Sequence, residues 1–257
     1  MAAKLNCMGR FATTVEFYSR YREPYTPQFF ATAAQQLAFK GNEELLDVGC
    51  GPGLLAIGFA PFVAHCTAID PEPAMLSAAT KAAAETGGAL TFHQSRIEDF
   101  STMTRFDIIT IGRALHWLDR PAALAQLDQL LAPAGRILIC GASSVEGEPS
   151  PWHKRYTELR HAWASDDEIK HHVDAATWFA GSAFIENTNI TVTELRLVTI
   201  AELIGRALSK SNTSPAVLGE RRMQFDAEVT AGLEPFVRDG VLQEQIVARA
   251  RVFERPR

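Results

Sequence analysis

Three glycines stand directly after a short apolar run near the start of the chain, and two aspartates flank them. The run Glu44–Val48 leads into Gly49-Cys50-Gly51-Pro52-Gly53, and Asp70 ends a second apolar run at 63–69. Glycines allow positive φ angles and let a ligand approach the backbone closely. Free amide groups at the start of the following helix would face that ligand. A carboxylate in the position of Asp70 accepts hydrogen bonds from ribose hydroxyls in nucleotide-binding sheets. The pattern therefore predicts a site for a nucleoside-bearing cofactor.

Two classes of cofactor compete for this loop. A dinucleotide fingerprint, GxGxxG, would need its third glycine at position 54, where the chain has Leu54. The loop here is GxGxG with a proline, and the charge of Asp47 opposes a pyrophosphate. The same charge favours the ammonium group of a ligand with an amino-acid end, such as S-adenosylmethionine. A plain glycine-rich turn in a β-α protein is the remaining alternative.

The surrounding pattern alternates strands and helices. Strands are predicted at 44–48, 63–69, 89–93, 106–111 and 135–140, and helices at 28–40, 54–59, 72–85 and 121–131. Gly41 is the expected stop of the helix at 28–40. Later segments predict strands at 190–197 and 246–253, the second at or next to a sheet edge, and a helix at 201–208. Short apolar strands separated by helices predict a doubly wound, mostly parallel α/β sheet with helices on both faces. Such sheets bind ligands outside the carboxyl ends of their strands.

Composition and simple motif searches exclude several other classes. The net charge is −5, with 25 Lys and Arg against 30 Asp and Glu, so a nucleic-acid partner is not expected. No apolar stretch is long enough to span a membrane, and no secretory signal is expected because the first residues lack an apolar run. No HExxH, HxxxH or Cys–His spacing supports a metal site, His171 and His172 being merely adjacent, and no GxSxG elbow is present. A reduced cytoplasmic compartment is the simplest interpretation of four widely spaced cysteines, which are Cys7, Cys50, Cys66 and Cys140.

The loop and the segments around it resemble a known family. Residues 45–53 and 68–76 resemble the first two motifs of class I S-adenosylmethionine-dependent methyltransferases, and the narrower similarity is to the small-molecule branch called methyltransferase type 11. Residues 106–110 followed by 114–119 resemble the motif after the fourth strand of that branch, and 20–27 resembles its RYRPPYP entrance segment. The resemblance covers 18–141 and does not specify a substrate.

The resemblance implies roles for individual residues. The methionine part of the cofactor is expected at Asp47 and the glycine loop, the ribose at Asp70, and the ribose or adenine at Met75. Adenine is expected at Ile97 and Glu98, with Asp99 as the neighbouring candidate and a surface carboxylate as the alternative for Glu98. The expected cofactor-binding set is Asp47, Gly49, Cys50, Gly51, Gly53, Asp70, Met75, Ile97, Glu98, Ile111, Gly112 and Arg113.

Residues that would act on the methyl acceptor are less specified. His116 is the candidate base, with a structural histidine as its alternative. An ionised acceptor would need no base, because transfer from a sulfonium is an in-line displacement that depends mainly on alignment. Tyr21 and Tyr25 could form an aromatic wall near the sulfonium, and Arg22 could steer an anionic acceptor. The segment 203–211 offers Arg206, with Trp152, Trp163 and Trp178 upstream as possible pocket walls.

These interpretations predict a single domain over 1–257. An entrance segment would occupy 1–42, the cofactor-binding core 43–141, and a helical cap with the closing strands 142–257. The predicted function is methyl transfer from S-adenosylmethionine to a small-molecule oxygen, nitrogen or carbon, with no metal and an open oligomeric state. The alternatives are an NAD(P)-dependent oxidoreductase and a non-catalytic protein that binds S-adenosylmethionine.

Overall fold

A computed structural model describes residues 14–84, 86, 88–165 and 173–256. It contains a sheet whose strands occupy the following segments: β1 Glu44–Val48, β2 His65–Asp70, β3 Leu90–Gln94, β4 Phe106–Gly112, β5 Leu131–Ser144, β6 Ile185–Val198 and β7 Leu242–Glu254. The α-helices are α1 Val15–Tyr21, α2 Pro27–Gln36, α3 Leu54–Phe59, α4 Pro73–Ala83, α5 Arg120–Leu130, α6 His153–Trp163, α7 Ala175–Phe179, α8 Ile200–Leu208, α9 Pro215–Leu218 and α10 Arg222–Leu233. The predicted end of the helix at 72–85 falls on Glu85, which lies outside the described residues.

The strands form one seven-stranded sheet in the order β3-β2-β1-β4-β5-β7-β6. The pairs β1–β2, β2–β3, β1–β4 and β4–β5 are parallel. This confirms the predicted α/β fold with a mostly parallel sheet. The last strand in the chain, β7, lies next to the edge strand β6, which is one of the two positions predicted for it.

Continuous burial explains why the central strands are short apolar runs. In β1 every residue after Glu44 is buried, and β4 is buried from Ile108 to Ile111. Strands covered on both faces do not alternate between apolar and polar residues. Their polar exceptions, Asp47 and Thr110, are register neighbours across the β1–β4 pair. A polar pair inside such a sheet therefore needs its own explanation.

Several segment boundaries differ from those predicted, including the start of β7, which is Leu242 rather than 246. Helix α2 ends at Gln36 rather than near Lys40, because Ala38 takes a φ of 54° and closes the helix. The Phe39 amide donates to the Ala34 carbonyl at 2.9 Å and the Ala38 amide to Gln35 at 3.1 Å, which is the Schellman pattern. Strand β5 extends over Leu131–Ser144 instead of 135–140, and β6 begins at Ile185, five residues before the predicted start at 190.

The chain forms two compact units, each built from three separate segments. The first unit comprises Met1–Pro24, Ala142–Lys170 and Thr193–Val247, and its core contains Trp152, Leu203, Phe225 and Leu233. The second comprises Tyr25–Gly141, His171–Val192 and Ala248–Arg257, and its core contains Leu46, Ile109, Leu127, Phe179 and Phe253. The predicted domain boundaries, and the predicted cap over the site, stay predictions.

Candidate active site

The glycine loop connects β1 to α3 with three left-handed glycines. Gly49, Gly51 and Gly53 have φ angles of 65°, 53° and 84°. The Cys50 amide donates to the Ile69 carbonyl at 3.0 Å, which ties the loop to the end of β2. A Cβ atom at Gly49 would lie 2.6 Å from the Cβ of Ala114, whereas a Cβ at Gly51 would meet nothing within 4 Å. Gly49 is therefore required for packing, and Gly51 leaves bare backbone beside open space.

Asp70 is buried at the end of β2 and fixes the same loop. Its Oδ2 accepts from the Gly51 amide at 2.8 Å, and its Oδ1 accepts from the Glu72 amide at 2.9 Å. Burial raises the pKa of this carboxyl, and the two amide hydrogen bonds oppose that rise. Because each carboxylate oxygen has a second lone pair, Asp70 can still accept from a ligand hydroxyl at either oxygen. The geometry fits the predicted ribose contact.

Asp47 lies behind the loop, only 1% exposed. Its Oδ1 accepts from the Thr110 hydroxyl at 2.8 Å, and its Oδ2 accepts from the Ala56 amide at 3.1 Å. Burial raises the pKa of Asp47 to about 7, although both hydrogen bonds lower it. The side chain thus joins β1, β4 and the first turn of α3, and it sets a titratable negative charge beneath the loop.

Burial also determines the protonation of the cysteine in the loop. The Cys50 side chain is 7% exposed, and burial raises the pKa of its thiol well above the ordinary value. A neutral thiol here contributes packing, while its backbone amide holds the loop in place.

The carboxyl end of β4 brings a second group of predicted residues together. Gly112 approaches so closely that a Cβ there would lie 2.6 Å from Leu55 Cδ1 and 3.2 Å from the Tyr25 hydroxyl oxygen. The Arg113 guanidinium carbon lies 5.0 Å from the centre of the Tyr25 ring. Arg113 itself has a φ of 57°, a conformation uncommon for a residue with a side chain. Tyr25 is therefore a partner of Arg113 at this strand end, as well as packing on Phe29.

Ile111 precedes this group inside β4. It is fully buried, and its register neighbour is Val48, the last residue of β1. Its side chain supports the sheet below the loop, so any contact with a cofactor would come from its backbone.

The predicted adenine and ribose contacts are buried side chains. Met75 on α4 is 4% exposed, and Ile97 is 1% exposed within the hydrophobic core of the second unit. Glu98 follows in a 3-10 turn at Ile97–Asp99, where its Oε1 accepts from the Asp119 amide at 2.7 Å. Its Oε2 is buried and has no hydrogen-bond partner among the described residues. Glu98 therefore retains one acceptor that an exocyclic amine could satisfy.

His116 lies in a 3-10 turn, Leu115–Trp117, that follows β4. Its ring centre is 4.7 Å from that of Trp117, with the planes tilted by 45°. The half-buried imidazole thus packs against an aromatic neighbour while standing just beyond the carboxyl end of the strand. Both the base and the structural interpretation remain predictions.

The predicted acceptor contacts of the first unit are engaged in packing. Arg206 is 1% exposed; its guanidinium forms a bidentate ion pair with Glu244, and its Nε donates to the Tyr21 carbonyl at 3.2 Å. The tyrosine ring covers Gly205, where a Cβ would lie 2.4 Å from Tyr21 Cδ2. Arg22 places its guanidinium carbon 4.8 Å from the centre of the Tyr18 ring. Arg206 is therefore engaged in a buried ion pair, and the acceptor contact predicted for it stays a prediction.

The predicted aromatic pocket walls are also core residues. Trp152 is 1% exposed in the first unit and donates its indole N–H to the Gln243 carbonyl at 2.7 Å, while Trp163 donates to Glu228 at 2.8 Å. Trp178 is 5% exposed in the core of the second unit. Trp152 and Trp178 thus lie in the cores of their units, whereas Trp163 is half-buried against Phe225.

The described residues were also expected to lack a metal site, a disulfide framework and a membrane-spanning helix. Within the described part of the chain no cluster of His, Cys, Asp and Glu could hold a metal ion, and His171 and His172 lie outside that part. The described cysteines, Cys50, Cys66 and Cys140, are free and buried; Cys7 also lies outside it. None of the helices described is long and apolar enough to cross a bilayer.

Two residues of the candidate site, Thr110 and Ala114, were not predicted from the sequence. Thr110 is the only hydroxyl in the otherwise apolar run of β4, and that contrast with its neighbours could have identified it as the partner of Asp47. Ala114 could not have been identified, because its approach to Gly49 depends on the turn after β4.

A seven-stranded sheet in this order, with a glycine loop after the first strand and a carboxylate after the second, defines the class I methyltransferase fold. Residues 45–135 match the model of a family described as a methyltransferase domain. Residues 45–135 are therefore similar to a methyltransferase domain, and the chain has the fold of the class I S-adenosylmethionine-dependent methyltransferases.

Two curated relatives of this chain are named as methyltransferases. A ubiquinone biosynthesis O-methyltransferase of Rhodopseudomonas palustris is 27% identical over 155 residues, which are 56% of this chain and 61% of that protein. Another, of Aromatoleum aromaticum, is 33% identical over 99 residues, 37% of this chain and 42% of that protein. The chain thus spans about half the length of the curated relatives that it matches.

Two solved structures share the fold. One from Anaeromyxobacter dehalogenans, described as a candidate type II methyltransferase, has a TM-score of 0.67 at 17% identity, covering 91% of this chain and 98% of that one. A methyltransferase of Geobacter sulfurreducens in complex with S-adenosylhomocysteine has a TM-score of 0.54 at 16% identity, covering 97% and 99%.

Proposed function

We propose that the protein binds S-adenosylmethionine at the glycine loop and transfers its methyl group to a small-molecule acceptor. The observation that carries the proposal is the loop itself. Gly51 leaves its backbone bare beside open space while its amide donates to Asp70, and the buried carboxyl of Asp47, with its pKa raised to about 7, lies beneath. A ligand with ribose hydroxyls and an ammonium group fits these features better than a pyrophosphate does.

The strand order argues against an NAD(P)-dependent oxidoreductase. The dinucleotide fold has the order 3-2-1-4-5-6, whereas here β7 is inserted between β5 and β6. The loop also has Leu54 where the dinucleotide fingerprint has its third glycine.

In such a reaction, the residues of this chain would bind the cofactor and accept a proton from the methyl acceptor. S-adenosylmethionine supplies a methyl group that its sulfonium already activates. Asp70 would hold the ribose, Glu98 would accept from the adenine amine, and bare backbone at Gly51 would admit the methionine part. His116 stands beyond β4 and would take the proton of a neutral hydroxyl acceptor, a step that an ionised acceptor does not need.

The acceptor is proposed to be a small oxygen nucleophile. Its support is the match to two relatives named as O-methyltransferases of ubiquinone biosynthesis, together with the absence of a net positive charge that would attract nucleic acid. Cytoplasmic location stays a prediction from the sequence.

Calorimetric titration tests the cofactor. The wild type should bind S-adenosylmethionine and S-adenosylhomocysteine and should not bind NAD. Asp70→Ala should weaken binding at least about tenfold, since it removes a charged acceptor from two hydroxyls. Asp107→Ala is the matched control, because that carboxylate also accepts a backbone amide, from Glu44 at 3.0 Å, but at the opposite end of the strands. Equal binding by Asp70→Ala and the wild type would contradict the proposed site.

Label transfer tests the reaction. Methyl-labelled S-adenosylmethionine is incubated with phenols, carboxylic acids and amines, and labelled product is separated by chromatography. Labelled ether or ester supports an oxygen acceptor. Cofactor binding with no label in any class of acceptor would favour the non-catalytic alternative. His116→Gln should lower the rate with neutral phenols more than with carboxylates if His116 is the base.

A further inference from the structure

The two carboxylate oxygens of Glu98 have different surroundings. The side chain is only 10% exposed. Its Oε1 accepts from the Asp119 amide at 2.7 Å and lies 3.2 Å from Nη2 of Arg96, whereas its Oε2 is buried and has no hydrogen-bond partner among the described residues. Buried polar atoms in folded proteins are nearly always paired, because leaving one unpaired costs free energy. The Oε2 atom therefore indicates a hydrogen-bond donor that arrives with a ligand.

The other oxygen, Oε1, fixes the end of the turn that carries His116. This turn follows β4; it starts at Ala114, which packs against Gly49 of the glycine loop, and Leu115 is buried in the hydrophobic core. It ends at Asp119, the N-cap of α5, whose amide is the donor to Oε1. His116 lies between these two anchors and is half-buried. The position of its imidazole therefore depends on the carboxylate that holds the end of the turn.

An exocyclic amine on a purine base is the donor that fits Oε2. This step rests on the proposed function, in which Glu98 lies at the adenine end of the cofactor. A carboxylate oxygen accepts hydrogen bonds and cannot donate them, so it favours an amine on the base over a carbonyl oxygen. With the amine bound, both oxygens would be fixed, and the hydrogen bond from the Asp119 amide would open less often.

We propose that Glu98 is a positioning residue that divides its two carboxylate oxygens between the base of the cofactor and the turn carrying His116. Binding of an aminopurine thereby orders the turn before an acceptor arrives. The coupling is reciprocal, because a group that stabilises one contact of a shared residue must be stabilised by the other.

Two substitutions of Glu98 separate the roles of the two oxygens. Glu98→Gln keeps one oxygen, and the Asp119 amide orients it towards the turn because that amide can only donate. The side-chain nitrogen then takes the place of Oε2 and presents a donor to the base. Glu98→Ala removes both contacts. Asp107→Ala is the matched control, because the Asp107 carboxylate also accepts a backbone amide, from Glu44 at 3.0 Å, at the opposite end of the strands.

Amide hydrogen exchange tests the contact with the turn and needs no acceptor. Without ligand, Glu98→Ala should speed exchange at Asp119 at least about fivefold, whereas Glu98→Gln should exchange there nearly as the wild type does. Exchange at Glu44 should be unchanged in both variants and should rise only in Asp107→Ala. Unchanged exchange at Asp119 in Glu98→Ala, or equal acceleration by both Glu98 substitutions, would overturn the proposal.

Calorimetric titration tests the contact with the base. The probes are S-adenosylhomocysteine and S-inosylhomocysteine, in which a carbonyl oxygen replaces the exocyclic amine. The wild type should bind the adenosyl compound at least about tenfold more tightly, and Glu98→Gln should lose or reverse this preference because its side-chain nitrogen donates. An unaltered preference in Glu98→Gln would contradict the proposed role of Oε2.

Exchange in the bound state tests the coupling. Saturating S-adenosylhomocysteine should slow exchange at Asp119 relative to Glu44 by about fivefold in the wild type, and saturating S-inosylhomocysteine should slow it less. A wild type that binds neither compound would refute the proposed function and the base contact together. A wild type that binds both compounds equally, or whose exchange at Asp119 does not respond to them, would leave the cofactor site in place and overturn only this inference.

Discussion

Adding one methyl group at Gly51 separates the cofactor-binding role of the loop from its folding role. Gly51 has a φ of 53°, and a Cβ there would meet nothing within 4 Å. Gly41 shares both properties, with a φ of 79° and the same open surroundings, but it lies in the turn before β1. Gly51→Ala and Gly41→Ala therefore impose similar backbone strain at two sites that differ in their proposed contact with a ligand.

The expected effect on stability follows from the backbone. A left-handed conformation costs a residue with a side chain roughly 1–2 kcal/mol, and the smaller entropy of the unfolded alanine chain returns about 0.4–1 kcal/mol. Each variant should thus lose about 1 kcal/mol of unfolding free energy, equivalent to a fall in Tm of about 2–4 °C for a chain of this size. Neither should misfold.

The two variants should differ in their affinity for the ligand. The new methyl group of Gly51→Ala enters the space where bare backbone is proposed to admit the cofactor, so its affinity for S-adenosylhomocysteine should fall about tenfold or more, or about 1.4 kcal/mol. Gly41→Ala should bind as the wild type does. Calorimetric titration gives both affinities, and thermal unfolding without ligand gives both Tm values. Wild-type affinity in Gly51→Ala would refute the proposed approach of the ligand.

Three other substitutions test the physical account of the structure. Burial raises the pKa of Asp47 from 3.8 to about 7, so its stabilising contribution is complete below about pH 4 and is lost as the pH rises through about 7. Urea unfolding from pH 5 to 8 should therefore show Asp47→Asn gaining on the wild type as the pH rises, by roughly 2–3 kcal/mol; a constant difference would contradict the raised pKa. Arg206→Met should cost about 3–5 kcal/mol in urea unfolding, because it leaves the Glu244 carboxylate buried, and a loss under about 0.5 kcal/mol would contradict a structural role. Gly49→Ala should lower Tm more than Gly51→Ala or Gly41→Ala does, because its Cβ would lie 2.6 Å from the Cβ of Ala114. An unchanged Tm would show that the neighbouring residues move to relieve this contact.

The sequence predicted the strands well where both faces of the strand are buried. The runs that became β1 and β4 are apolar at nearly every position, so no other arrangement hides them from water. Helix α2 ended early because Ala38 takes a left-handed conformation, and sequence preference assigns that conformation to glycine. The start of β6 was missed because its first residues, such as Asn187 and Asn189, are exposed and polar.

The glycine loop and Asp70 could be assigned from spacing alone, because their contacts are set by adjacent strands. Arg206 could not, because its partner Glu244 is 38 residues away and comes from a strand rather than from the same helix. Helical spacing shows that a residue faces inward or outward, but it does not show which distant charge meets it there.

The segments of the two units have a consequence for synthesis of the protein on the ribosome. The second unit consists mostly of Tyr25–Gly141, yet it also needs His171–Val192 and Ala248–Arg257. Phe253 packs against Phe179, and Arg255 donates to the Asp128 carboxylate at 3.0 Å and to the Ala132 carbonyl at 2.9 Å. The nascent chain therefore cannot close this unit until the segment Ala248–Arg257 has been synthesised. Deletion of Ala248–Arg257 should leave an incomplete core, so a truncation before this segment would act as a folding defect.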